Sequence, residues 1–121
     1  MHKHDHEAVE RAITAGYPAV ESVLPSLLEW MQDINWPVAQ TLAPFLASIG
    51  KPLIPHLSKI FETDDEIWKA WVISGIVEES PELAFAFRKY LERVADNPTP
   101  DEYEEQVSDY ATDVLEKYGW R

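Results

Sequence analysis

A short phrase occurs twice in this chain, thirty residues apart: Leu24-Pro25-Ser26-Leu27 and Ile54-Pro55-His56-Leu57. Each copy opens an apolar segment with helical spacing. The first runs into the polar turn Gln32-Asp33 and the second into Glu62-Thr63-Asp64-Asp65. A second apolar helix follows each turn, from Val38 to Ile49 and from Ile67 to Val77. Two helices per period of about thirty residues mark an α-hairpin repeat, whose units bury their apolar faces against one another. Such arrays present binding surfaces more often than catalytic centres.

The rest of the chain is also helical in pattern. A first helix spans Asp5 to Ala15, with Gly16 at its C-terminal end and Pro18 just beyond. The next covers Pro25 to Gln32. Asn35 is expected to cap the third, which carries Pro37 in its first turn and Pro44 inside, where a kink or local break is expected. Gly50 ends that helix, and a fourth starts at Pro52 or Pro55 and reaches Phe61. Thr63 and Glu66 have the spacing of a capping box for the fifth helix. Ser80-Pro81 starts a sixth, to Asp96. Thr99-Pro100-Asp101-Glu102 starts a seventh, to Tyr118, with Gly119 after it. No stretch alternates with a period of two over strand length. The expectation is one all-α domain over residues 1–121, with six or seven helices in antiparallel pairs and flexible residues 1–5.

The apolar faces suggest how these helices pack. The fifth carries Ile67, Trp68, Trp71, Val72, Ile73, Ile76 and Val77 nearly all round, so it should be central, with Trp71 buried. The seventh carries Tyr103, Val107, Tyr110, Ala111, Val114 and Tyr118 on one stripe. Glu102, Glu105, Asp109, Asp113 and Glu116 occupy a different face, which should meet solvent or a partner.

Charge narrows the choice of partner. The chain of 121 residues has a net charge of −12, unevenly spread. Residues 1–61 hold six acids and four bases, and residues 62–121 hold sixteen acids and six bases. Such a surface repels phosphate backbones, which argues against direct nucleic-acid binding, and it steers basic proteins towards itself. There are no cysteines, hence no disulfide framework or thiolate metal site. The N-terminus is polar rather than leader-like, and no apolar run reaches the ~18 residues of a membrane span. A cytoplasmic protein without membrane contact is expected.

Catalytic chemistry is poorly represented. His2, His4 and His6 beside Asp5 form at most a weak divalent-metal site on a flexible tail. His56, without a second converging group, reads as a structural hydrogen-bonding residue. Asp33 and Asn35 read as backbone caps with partner contact as the alternative, and Asp64, Asp65 and Glu66 read as caps rather than metal ligands. Trp30, Trp36, Trp68 and Trp71 read as core, with a ligand pocket or an interface as alternatives. No nucleophile triad, phosphate-binding loop or paired metal motif is present. Neither enzymatic activity nor a cofactor is expected.

The segment Leu28-x-Trp30-x-Gln32-Asp33-x-Asn35-Trp36-Pro37, the run Pro52-Leu53-Ile54-Pro55-His56 and the helix Asp65-x-Ile67-Trp68-x-x-Trp71 together resemble the bacterial domain-of-unknown-function family 5071. The likeness covers about residues 20–115 and leaves the N-terminal histidines outside. It implies a small helical fold similar to HEAT-like repeats and no established activity, cofactor or catalytic residue. It also implies a link to bacterial toxin-immunity neighbourhoods. The functional expectation is an immunity protein that neutralises a basic bacterial toxin. The partner face is either Glu102, Glu105, Asp109, Asp113 and Glu116 or the turn edge at Asp33, Asp64 and Asp65. A general helical scaffold and a small-ligand binder with a tryptophan-lined pocket are the alternatives.

Overall fold

A computed structural model describes residues 3–33 and 35–121, apart from the side chains of residues 3–5. Among the described residues all regular structure is helical. The α-helices are α1 (Lys3–Ala15), α2 (Leu24–Glu29), α3 (Pro37–Ile49), α4 (Ile54–Phe61), α5 (Glu66–Val72), α6 (Pro81–Ala86), α7 (Arg88–Asp96), α8 (Pro100–Glu104) and α9 (Val107–Lys117). The all-α class stands. Among the described residues the count is nine rather than six or seven, because the expected sixth and seventh helices are each broken once.

The thirty-residue repeat is physically present. A 3₁₀ turn, Glu21–Val23 or Lys51–Leu53, leads into α2 or α4, and both helices carry proline in their first turn. Burial repeats at the same offset. Leu42, Ala43, Leu46 and Ala47 on α3 are buried, and so are Val72, Ile73, Ile76 and Val77 thirty residues later. The chemistry differs at Ala39, which corresponds to Lys69 in the second unit, and both are buried. Lys69 Nζ is neutralised by Glu66 Oε1 at 2.9 Å.

The second unit is the centre of the molecule. Beyond Val72 the helix widens to a π turn over Ile73–Val77, where the Glu78 amide donates to the Ile73 carbonyl at 2.9 Å. This turn packs against α3 and α9, while α7 lies along α9 and α1 covers α3. Leu24, Leu28, Leu42, Leu57, Ile76, Leu91 and Leu115 fill the core between them.

Several helix ends differ from expectation. Asn35 does not cap α3. Its own amide donates to Asp33 Oδ1 at 2.9 Å, and Trp36 holds the N-cap position with no side-chain cap bond. The Thr63–Glu66 capping box does not form, because Asp65 is the cap and accepts from the Trp68 amide at 3.0 Å. The hydroxyl of Thr63 instead donates to the Ile60 carbonyl at 2.7 Å. Pro44 does not interrupt α3; it lies on an exposed face, where water can serve the carbonyl its ring leaves unpaired. Helix α1 begins at Lys3, inside the stretch expected to be flexible. The caps at Ser80 and Thr99 form as the sequence predicts.

Candidate functional site

The second-unit turn and the C-terminal helices meet in one groove. On one side, Thr63 and Asp65 fix the start of α5 and leave Asp64 and Asp65 exposed at the turn, with Ile67 half exposed one step further on. On the other side stands α8, held by a full capping box. Thr99 Oγ1 accepts from the Glu102 amide at 3.1 Å, and the Glu102 carboxylate accepts from the Thr99 amide at 2.8 Å. After α8 the chain turns at Gln106, which has φ 65° and ψ 15°. A left-handed non-glycine residue is strained, and here it separates α8 from α9.

This break shapes two adjoining clefts. The first, of about 350 Å³, is lined by Ile67, Ala70 and Trp71 from α5 and by Glu104, Glu105, Gln106 and Tyr110 from the α8–α9 junction. The second, of about 260 Å³, lies between Asp64, Asp65, Glu66 and Ile67 on one wall and Asp101 and Glu105 on the other. Ile67 and Glu105 belong to both. A third depression at Pro100, Tyr103, Glu104, Gln106 and Asp109 continues the surface, and Tyr103 is 72% exposed within it. Among the described residues no Lys, Arg or His lines any of the three. The result is an aromatic and aliphatic floor with a rim whose charged residues are all acidic.

The structure divides the acids that the sequence grouped together. Asp64, Asp65 and Glu105 come together in the groove, and Asp109 adjoins it. Glu102 does not belong to any exposed face. It is 3% exposed, accepts two hydrogen bonds from the Arg93 guanidinium and completes the α8 cap. Burial alone would raise its pKa. The Arg93 hydrogen bonds, the Thr99 amide and the charges of Arg93 and Lys69 outweigh burial and hold it below the ordinary value. Asp113 and Glu116 are exposed further along α9, outside the groove. Glu78, near the C-terminal part of α9, has a raised pKa. Burial is the main cause, opposed by Lys117 and reinforced by Glu79 and Asp113. Asp33 is half-buried at the first-unit turn and lies outside the groove lining.

Asp101, Glu104 and Gln106 are groove residues that sequence reasoning did not single out. The acids were visible as charges, but a straight seventh helix would not turn them towards Asp64. Glutamine carries no signal for a left-handed turn, so nothing in the sequence marks the break.

The tryptophans do not line a single pocket. Trp30 and Trp36 pack edge to face at 5.8 Å. The Trp68 indole N–H donates to the Leu28 carbonyl at 2.9 Å and borders a separate pocket of about 210 Å³ with His56 and Lys59. Trp71 is half-buried rather than buried, and its ring lies 6.1 Å from Tyr110 at a 43° tilt. His56 Nε2 faces Glu21 Oε1 at 3.6 Å, too far for a hydrogen bond.

Among the described residues no group of three or more His, Cys, Asp or Glu side chains has the arrangement to hold a metal ion. His2 and the side chain of His4 lie outside the described residues, and with them the weak metal site weighed at the N-terminal histidines. No described helix is long and apolar enough to cross a membrane.

No curated protein and no solved structure matches this chain. A family model described as a domain of unknown function (DUF5071) matches residues 1–115, a longer stretch than the motifs alone suggest and one that takes in the N-terminal histidines. With nearly the whole chain covered by that match, the protein belongs to the DUF5071 family.

Proposed function

We propose that this chain is a non-enzymatic protein-binding domain, and specifically an immunity protein that neutralises a cognate basic bacterial toxin by binding it through the α5/α8–α9 groove. The observation that carries this reading is the meeting of two acid sets, Asp64 and Asp65 with Asp101 and Glu105, over the exposed Ile67. Apolar area in the floor supplies contact energy, while the acidic rim selects a cationic partner and accelerates its approach. An apolar patch ringed by charge of one sign is a common form of docking surface.

The test starts with the product of the adjacent reading frame, co-purified with this chain. The variant Asp64→Lys/Asp101→Lys/Glu105→Lys should slow association roughly tenfold or more at low salt, and added salt should narrow the difference. Asp113→Lys/Glu116→Lys, outside the groove, is the control and should leave the rate nearer that of the unaltered protein, compared per reversed charge. Equal rates for both variants, or no protection of toxin-exposed cells by the unaltered protein, would reject the reading. Recovery of a host protein without toxic activity would favour an adaptor role instead.

A further inference from the structure

The clefts differ in chemistry, and the larger one is more specific than an acidic surface need be. Part of its lining is an aromatic pair, Trp71 and Tyr110, packed against each other with centroids 6.1 Å apart and planes tilted by 43°. Glu104 and Glu105 stand at the same opening, and Ile67 closes the side towards the turn. Both acids are exposed, and among the described residues neither has an ion-pair partner within 4 Å. Lys69 on α5 is committed to Glu66, Lys117 on α9 pairs with Glu79, and Arg93 on α7 is committed to Glu102.

We propose that this cleft is a subsite for one arginine side chain of the partner protein, its guanidinium lying against the Trp71 and Tyr110 rings and donating to the carboxylates of Glu104 and Glu105. This rests on the protein-docking reading above and gives it an anchor residue. The choice of arginine follows from the walls. A guanidinium is planar, stacks on an aromatic face and keeps in-plane donors for carboxylates. An ammonium is compact and strongly hydrated, and gains less from the face of an aromatic ring. A neutral apolar side chain would leave the rim acids facing a desolvated interface without a counter-charge. The left-handed turn at Gln106 serves the site by bringing Glu104 and Glu105 beside Tyr110, where a continuous helix would carry them away from it.

The probes are two short peptides, acetyl-(Gly-Arg)3-amide and acetyl-(Gly-Lys)3-amide, titrated into the full chain while amide and indole resonances are followed. The arginine peptide should shift the Trp71 indole N–H saturably, with a Kd roughly threefold or more below that of the lysine peptide. Glu104→Gln/Glu105→Gln should weaken the arginine peptide roughly fivefold or more and bring the two peptides closer together. Trp71→Leu should weaken it similarly, read at the Gln106 and Tyr110 amides. Should that variant fold poorly, the exposed-acid variant still decides the question. Equal binding of both peptides with Trp71→Leu silent would overturn the subsite, leaving only a diffuse acidic surface. The two proposals fail separately. A toxin that responds to groove charge reversal while the peptides miss Trp71 removes only the subsite. A peptide that binds at Trp71 while the toxin ignores groove reversal removes only the toxin reading.

Discussion

Glu102→Ala should destabilise this protein strongly although glutamate is normally a surface residue. The side chain is 3% exposed and makes three hydrogen bonds, two from Arg93 and one from the Thr99 amide. Losing the acidic half of the capping box leaves the Thr99 amide without its acceptor, at a cost of about 1 kcal/mol. The two charge-assisted bonds contribute about 1 kcal/mol more, discounted because the Arg93 side chain is 46% exposed and can rehydrate. A small void where the carboxylate sat brings the total to about 2–3 kcal/mol. For a chain of this length that is a fall in Tm of roughly 6–15 °C, readable by circular dichroism. Glu105→Ala, three residues further along and exposed, should stay within about 0.5 kcal/mol of the unaltered protein. The effect also has a pH signature. Because the folded Glu102 carboxyl titrates below its ordinary value of 4.5, the unfolded chain takes up that proton first as the solution is acidified. The stabilisation is therefore complete above pH 4.5 and shrinks as pH falls below it, so the gap between the two proteins should close in acid. A Glu102→Ala protein that melts with the unaltered one at neutral pH would refute the burial and return Glu102 to the set of partner-facing acids.

Three further outcomes follow from the same structure. Gln106→Gly should relieve the left-handed backbone and, after the entropy glycine adds to the unfolded chain, raise stability by about 0.5–1 kcal/mol in a denaturant melt. Lys69→Met should cost about 2–3 kcal/mol by leaving the Glu66 carboxylate nearly buried and unpaired, and Lys69→Met/Glu66→Leu should recover most of the loss in the same melt. Tyr118→Phe removes the hydroxyl that donates to the Glu78 carbonyl at 2.7 Å and should cost about 1 kcal/mol, measured by thermal unfolding.

The parts of this fold that were legible in the sequence are those written in short-range chemistry. The repeated Leu-Pro and Ile-Pro starts place α2 and α4, and Ser80-Pro81 and Thr99-x-x-Glu102 place α6 and α8, because a cap and an N1 proline act within one turn. The parts that were not legible depend on longer range. Glu102 has the spacing of a capping-box residue and also falls on a helical acidic stripe; only the position of Arg93, nine residues upstream, shows which role buries it. Trp71 sits on a helix that is apolar nearly all round, a pattern that reads as full burial. The structure opens one side of that helix at the α8–α9 junction, so Trp71→Ala should cost less than the ~3–5 kcal/mol of a fully buried tryptophan. Tyr103, placed by its spacing on the packing stripe, is largely exposed for the same reason: the stripe assumes one straight helix, and the helix is broken at Gln106.

That break accounts for the groove at the second repeat unit. The first-unit turn at Asp33 and the second-unit turn at Asp64 correspond in the repeat, and the second is faced by Asp101 of α8. A continuous helix from Pro100 to Lys117 would spread its acids along α9, towards Asp113 and Glu116, where Lys117 and Glu79 already pair at 3.6 Å. The left-handed turn instead holds Asp101 and Glu105 opposite Asp64 and Asp65, at the expense of backbone strain and of repulsion between like charges. Neither contributes to folding. Two acids here do contribute: Asp65, itself in the groove, caps α5, and the neighbouring Glu102 caps α8 while holding Arg93. Thus the same acidic segment contains residues that stabilise the helices and residues that the folded helices hold in an unfavourable crowd. A cationic side chain entering the groove would relieve that crowding, and the relief would add to the affinity of a basic partner while adding nothing for a neutral one.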